Sequence, residues 1–598
     1  MADADLGRNL VEMAMRSAAR RPEAPCLWAK RDGGWQAWSW ARVAAESAAI
    51  ARWLRAHGIE PGDRVVLLSE NRPEWAIADL AIMQAGAITV PAYTTNPPAD
   101  HAYLLNHSEA RGVICSTPSL ARRLLPALAE APTVATVLFI EPQPTLPSGP
   151  QVGFWDSALA EAAALPPTGE EERLEKHDVA CFIYTSGTGG RPKGVMLTHG
   201  NIMSNIAGAI RLLERIGLED EVFLSFLPLS HAYEHTAGLH FPLAIGAQIW
   251  YAEGVEHLAA NLLDARPTIL TCVPRLLEVM RERMLQQVER QGGLRAKLFH
   301  LALELGRRRY EQGRLLPHLL PADLLLDRLV RRRVAERFGG RLKALVSGGA
   351  ALKYEVGLFF VALGVPLLQG YGQTEASPVI SCNPPGACRI DTVGPPLEGV
   401  EVRIGADGEI LVRGPNVMKG YWKDEVATQQ ALRDGWLHTG DVGALDPDGY
   451  LRITDRKKDI LVLSGGENVS PQRVEGLLVY QPEIAQAVIF GDQRPYVVAL
   501  IVPDARFAEE FAKRRGWTGG LEEIGENAEF RAAIAAAVER ANAQLSPFER
   551  VRRFAILKRP LTIEEGLMTP TLKIRRHLVL QQYRAVLDGL YDTRGSAV

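Results

Sequence analysis

Cysteine is scarce in this 598-residue sequence: Cys26, Cys115, Cys181, Cys272, Cys382 and Cys388 are the six, and no two have C-x-x-C spacing. That excludes a disulfide-framed fold and a zinc-ribbon or dithiol redox site, and predicts reduced, mostly buried thiols. Net charge is also nearly absent, with 67 Lys and Arg against 70 Asp and Glu for a formal charge of −3. A chain with so little overall field does not gather a polyanion, so general DNA or RNA binding is excluded as a function class. No long apolar run is present either. The best charge-free stretches, 80–99 and 235–252, are interrupted by Gln84, Gly86, Pro91 and Asn96 and by His240, Pro242, Gly246 and Gln248. A bilayer-spanning helix tolerates such residues poorly. The first residues carry Asp3 and Asp5 without the apolar core of a secretory signal, so a cytoplasmic protein is expected.

What is present is material for several cores, with 47% hydrophobic and 23% charged residues. From about residue 40 to 375, short apolar runs alternate with helical patterns. The runs are 65–68, 87–90, 112–115, 137–140, 180–184, 222–227, 269–273 and 345–347. This order predicts an α/β protein of layered, mostly parallel sheets. Between the runs, 40–56 reads as an amphipathic helix through Val43, Ala44, Ala48, Ile50 and Leu54. Residues 281–340 differ: they are helix-like and hold 14 Lys and Arg against 7 Asp and Glu. A solvated helical insertion is the plain reading of such a run. The sharper one is a basic amphipathic surface resting on anionic lipid, which would put the chain peripherally at an inner membrane surface. After Gly435 the pattern becomes rich in strands and turns, with a hairpin expected from Ala485 to Val502 and a closing strand near 554–557. A large N-terminal domain over 1–454, a hinge at 455–460 and a small α+β C-terminal domain over 461–598 are therefore expected.

The densest chemical signal is Tyr184-Thr-Ser-Gly-Thr-Gly-Gly-Arg-Pro-Lys-Gly-Val-Met-Leu-Thr-His199. It follows a predicted strand, and its glycines and hydroxyls let backbone N–H groups approach phosphate oxygens. It is not a Walker A loop, because Lys193 follows Pro192 and precedes Gly194, where that motif needs G-K-[ST].

The sequence resembles the AMP-forming, adenylate-forming superfamily of acyl-CoA synthetases, luciferases and adenylation domains. Five motifs in the family's order carry the resemblance: Thr185 to Gly194; Tyr371-Gly-Gln-Thr-Glu375; Gly435-Trp-Leu-His-Thr-Gly-Asp441; Asp455-Arg-Lys-Lys-Asp459 with Ser464-Gly-Gly-Glu-Asn468; and Pro570-Thr-Leu-Lys573. The resemblance implies that Thr185, Ser186, Gly187, Thr188 and Lys193 hold the β- and γ-phosphates of ATP, and that Thr185 and Glu375 contact Mg2+. It implies an adenine site from Tyr371 and the Gly348-Gly349 turn, and ribose contacts from Asp441 and Arg456. Gly372, Thr374 and Lys458 are implied to bind the nucleotide as well. Lys573 is implied to bridge the carboxylate and α-phosphate during adenylation. The C-terminal domain is then expected to rotate at the hinge, exchanging Lys573 for the 464–468 loop.

His231 and His235 in Leu227-Pro-Leu-Ser-His-Ala-Tyr-Glu-His235 are one helical turn apart, but Glu234 is misplaced for the H-E-x-x-H zinc motif. The resemblance instead places His231 beside the acyl carboxylate and His235 or Tyr233 near the mouth of an acyl tunnel. The helical insertion at about 276–341 is similar to that of long-chain fatty acid-CoA ligases. That resemblance implies a fatty acid, ATP and coenzyme A as substrates, and a homodimer. A fatty acyl-AMP ligase that loads a separate carrier protein is the alternative.

Overall fold

The computed structural model describes residues 6–169, 173–185, 191–457, 460–465, 467–517, 524–562, 565–568 and 574–591. Two eight-stranded, largely parallel sheets form most of the larger domain. One runs, in spatial order, Val379–Cys382, Leu367–Gly372, Ala344–Ser347, Ile269–Cys272, Val222–Ser225, Gln248–Tyr251, Pro25–Arg31 and Gly34–Ser39. The other runs Gly420–Tyr421, Lys193–Thr198, Val179–Thr185, Ile88–Pro91, Arg64–Leu68, Ala110–Cys115, Thr136–Phe139 and Gln151–Phe154. Every expected strand from 65 to 347 is present within a few residues. The hairpin 25–39 and the strand Gln248–Tyr251 were not anticipated. All six cysteines are free, and all but Cys388 are buried.

Two helices pack against one another, and the second touches strands of both sheets. Trp40–Ala56 begins where the Ser39 side chain accepts the Arg42 N–H, the usual way of satisfying an open helix start. Pro73–Gln84 is buried along its whole length. A helix apolar on every side is stable only inside a core, and this one contributes Trp75, Ile77, Leu80 and Ile82 to it. Its single interior acid, Asp79, is fully enclosed and requires buried partners.

The basic segment is helical as expected, with Pro274–Gln291, Gly293–Gln312 and a last stretch from Leu320 to Arg337 interrupted by a π-turn. A smaller antiparallel sheet follows, carrying Glu401–Ile404, Glu409–Arg413, Trp436–Leu445 and Leu451–Arg456. Beyond it, Ile484–Phe490 and Val497–Pro503 pair antiparallel, and Val551–Ile556 adds parallel to the second. The cores around this last sheet draw on residues from 461 onward, while those of the larger domain draw on 453 and before.

Candidate active site

The phosphate-loop motif leaves the strand Val179–Thr185 and returns on Lys193–Thr198, so Thr185 and Lys193 face each other as an antiparallel pair. Ser186, Gly187 and Thr188 lie outside the described residues. Tyr103 fixes the returning end by donating its hydroxyl to the Pro192 carbonyl at 2.8 Å. Gly194 packs against the Tyr184 ring, 3.2 Å from where a Cβ would sit. The Lys193 ammonium lies 4.8 Å from the centre of the Tyr421 ring and 3.8 Å from an Asp424 carboxylate oxygen. Tyr421 then donates its hydroxyl to Glu375 Oε1 at 2.8 Å. The Glu375 carbonyl accepts the Met418 N–H, which ties this turn to the chain leading into Tyr421. Lys193, Tyr421 and Glu375 thus form one connected group, with Thr185 across the strand pair.

A second group sits where two strands end. Asp441 and Arg456 are register partners on Trp436–Leu445 and Leu451–Arg456. Their side chains meet at 3.2 Å, from Arg456 Nε to Asp441 Oδ1. The Tyr371 hydroxyl donates to the other carboxylate oxygen at 2.5 Å. Burial, and then the adjacent Asp441 charge, push the Tyr371 phenol well above its ordinary value, so it remains a donor. Gly372 follows because no side chain fits there: a Cβ would lie 1.8 Å from the Pro378 carbonyl oxygen. The 3-10 turn Thr374–Ala376 carries Glu375 onward to the first group. The Gly348-Gly349 turn leaves the strand Ala344–Ser347. Gly348 donates to the Cys272 carbonyl at 3.0 Å, and Gly349 adopts φ +79°, which favours glycine.

His231 caps a turn after Pro228, and its Nδ1 accepts the Tyr233 N–H at 3.1 Å. In the neutral ring the proton is therefore on Nε2. The following residues Glu234–His240 form a π-turn. There His235 Nε2 and His240 Nε2 lie 3.1 and 3.2 Å from the same oxygen of Asp79, and all three side chains are wholly enclosed. Burial raises the Asp79 carboxyl, but the charge and hydrogen bonds of His235 and His240 outweigh it and hold it well below the usual carboxylate range. Glu234 points the other way, accepting Ser225 Oγ at 2.7 Å and Thr271 Oγ1 at 2.8 Å. Burial pushes its carboxyl up to about 7.

The profile of AMP-binding enzymes matches residues 15–422, and that of the AMP-binding enzyme C-terminal domain matches 458–595. The chain belongs to the AMP-binding enzyme family. Among these enzymes, the long-chain-fatty-acid–CoA ligase FadD15 of Mycobacterium bovis is 36% identical over 94% of this chain and 93% of its own. The peroxisomal long chain acyl-CoA synthetase 6 of Arabidopsis thaliana is 34% identical over 92% of this chain and 80% of its own. In fold, the chain is similar to the adenylation domain of a Mycobacterium chelonae carboxylate reductase, with TM-score 0.75, 21% identity and coverage of 99% and 92%. It is also similar to the O-succinylbenzoate coenzyme A synthetase of Bacillus subtilis in complex with AMP, with TM-score 0.68, 22% identity and coverage of 99% and 100%.

Within this AMP-binding fold, Tyr371, Asp441 and Arg456 are brought together, as are Lys193 and Glu375. Lys458 and Lys573 lie outside the described residues. The expectation that His235 or Tyr233 stands near a tunnel mouth is corrected. His235 is sealed against Asp79, and Tyr233 is buried with its hydroxyl donating to the Val346 carbonyl at 2.9 Å. The Tyr233 ring instead backs the Gly348 turn, 3.2 Å from where a Cβ would sit. A cleft of about 820 Å³ borders the Pro228–Ser230 segment, but Arg31, Glu70, Arg72 and Glu141 make it a charged recess. Sequence reading missed Tyr421, which lies on a two-residue strand with no motif of its own. It also missed Asp79, whose signal was a lone acid inside an apolar run.

Proposed function

We propose that this AMP-binding enzyme activates a long-chain fatty acid in two half-reactions. The carboxylate attacks the α-phosphate of ATP to give acyl-AMP and pyrophosphate, and the thiol of coenzyme A then displaces AMP to give acyl-CoA. The observation that carries this reading is identity of 36% along nearly the whole chain to a long-chain-fatty-acid–CoA ligase, with every motif residue of the two connected groups intact.

In this reading Lys193 and the Thr185–Thr188 segment hold the β- and γ-phosphates. Asp441 accepts the ribose hydroxyls. Its two oxygens face the Tyr371 hydroxyl and the Arg456 guanidinium, and a carboxylate oxygen can accept more than one hydrogen bond. The aromatic face of Tyr371, with the Gly348-Gly349 turn, receives adenine. His231 offers its Nε2–H to the fatty carboxylate. Lys573 neutralises charge that builds on the α-phosphate. The Glu375 carboxylate and Thr185 hydroxyl are hard oxygen donors of the kind that suit Mg2+ when substrate phosphates complete its shell, and they would hold it. Magnesium would there shield the phosphate charge. Residues 455–460 act as the hinge between 1–454 and 461–598. Lys457 sits in it with its N–H on the Gly440 carbonyl at 2.7 Å and its ammonium 2.6 Å from Asp407. Proline at 457 removes that donor and is expected to uncouple the half-reactions; unchanged thioester formation overturns the hinge.

The decisive experiment supplies MgATP and fatty acids of graded length, with and without coenzyme A, and follows products by mass spectrometry. Acyl-CoA and AMP are expected, with affinity rising about fourfold per methylene until the acyl site ends, from about 0.8 kcal/mol per buried CH2. Accumulation of acyl-AMP that coenzyme A does not consume makes the carrier-loading ligase the answer.

A further inference from the structure

The helices Gly293–Gln312 and Leu320–Leu326, the latter continuing to Arg337, run antiparallel. Arg309 reaches Asp323 at 3.1 Å, and Arg331 donates to the Ala302 carbonyl at 3.2 Å. Arg331 is itself buried and also binds Asp323 Oδ1 at 2.5 Å and the Ala362 carbonyl at 3.1 Å. The pair is therefore rigidly seated on the domain by a satisfied guanidinium. Inward, Leu326, Val330 and Val334 fill the core. A helix of this kind in water carries polar residues on its outer side. This one presents leucines there among its charges: Leu320, Leu324, Leu325 and Leu329 are all exposed, Leu324 by 70%. The neighbouring helix adds Leu294, exposed by 72%, and Leu301 one heptad on. Exposed apolar side chains on this scale mark an interaction surface.

The same helices and the connection between them carry Arg295, Lys297, Arg314, Arg328, Arg333 and Arg337, all exposed and without an ion-pair partner among the described residues. Leucine beside unpaired cations suits a phase that is apolar within and anionic at its face. A second copy of the chain would bring the same excess of positive charge against itself.

We propose that the 293–337 helical pair docks on an anionic phospholipid bilayer, its leucines entering the acyl boundary and its cations meeting phosphate headgroups. The docking stands apart from the proposed ligase chemistry, since binding is scored without substrate.

The test is co-sedimentation of the full chain with vesicles of phosphatidylcholine alone and of phosphatidylcholine with phosphatidylglycerol, at low and high salt. Binding is expected only to the mixed vesicles, and to weaken with salt. Replacing Arg328→Glu with Arg333→Glu is expected to lower affinity on the order of 25-fold, about fivefold for each cation withdrawn. Leu324→Ser with Leu325→Ser is expected to lower it about tenfold or more, because two inserted apolar side chains are lost. Both variants should melt like the parent and activate a fatty acid in free solution at the parent rate. Absence of binding at low salt, or binding that neither pair weakens, overturns the proposal. So does a concentration-dependent dimer, seen by ultracentrifugation without vesicles, that Leu324→Ser with Leu325→Ser abolishes; that result assigns the face to a second copy.

Discussion

Asp441 and Asp79 are both carboxylates held on two sides, yet they sit in opposite surroundings. Asp441, its side chain 11% exposed, meets Arg456, whose side chain is 39% exposed, at the end of a strand pair. Asp79 meets His235 and His240 at 0% exposure, deep against a helix that is buried throughout. The residue types in the second group look more catalytic than those in the first. Exposure separates them: a charged group open to solvent on one side can meet a ligand, and one sealed in the core can only hold elements together. The sealed group ties the Pro73–Gln84 helix to the π-turn, and the turn in turn sets where His231 stands.

The largest expected effect that tests this contrast is on stability. Asp79→Asn leaves the enclosed imidazoles without their anion and is expected to cost about 3–5 kcal/mol, as breaking one side of a buried pair does. Thermal melting measures it, and an unchanged KM for ATP in the folded fraction shows that the cost is structural. A variant that melts normally breaks the comparison. Next is Lys573→Ala, expected to slow adenylation on the order of a hundredfold or more by removing electrostatic stabilisation. Melting should not move, and thioester formation from supplied acyl-AMP should be spared; equal loss of both steps rejects the assignment.

Glu234 gives a pH-dependent test inside the sealed region. Its folded value of about 7 lies above the ordinary 4.5. The folded state therefore holds the proton more tightly, so this contribution is complete below 4.5 and is lost as pH rises toward 7. Glu234→Gln should remove that part of the decline, on the order of 3 kcal/mol at most, and stability curves of parent and variant at several pH values measure it. Parallel curves would show that Glu234 does not titrate there. The smallest effect belongs to the open region: Tyr421→Phe removes the hydroxyl on Glu375 while keeping the ring beside Lys193. A loss of about tenfold in adenylation is expected, from one hydrogen bond to a charged group. It should be partly offset by raised Mg2+, and a parent-like Mg2+ profile would separate Tyr421 from the proposed Mg2+ ligands.

Much of the scaffold was legible because its signals are local. The helix 40–56 has the predicted bounds, since amphipathic spacing and the Ser39 cap both act within a few residues. The strand Gln248–Tyr251 was hidden because it lies in one apolar run with the segment before it, and period alone does not divide such a run. The relation of His235 to His240 was hidden for another reason. Five positions apart, they diverge by about 140° on an α-helix. The π-turn stacks residues five apart, and both rings then reach Asp79, more than 150 positions away.

The sequence by itself determined the class of domain, the order of the motifs and the residue types offered for each proposed phosphate and sugar contact. These follow from short-range periodicity and from chemistry that tolerates few substitutions. Only the tertiary structure decided which ionisable groups face solvent and which are sealed. It joined Lys193 to Glu375 through Tyr421, and it left leucines outside on a rigid helical pair. Burial and long-range pairing depend on which distant segments pack together, and the spacing of residues along the chain does not carry that information.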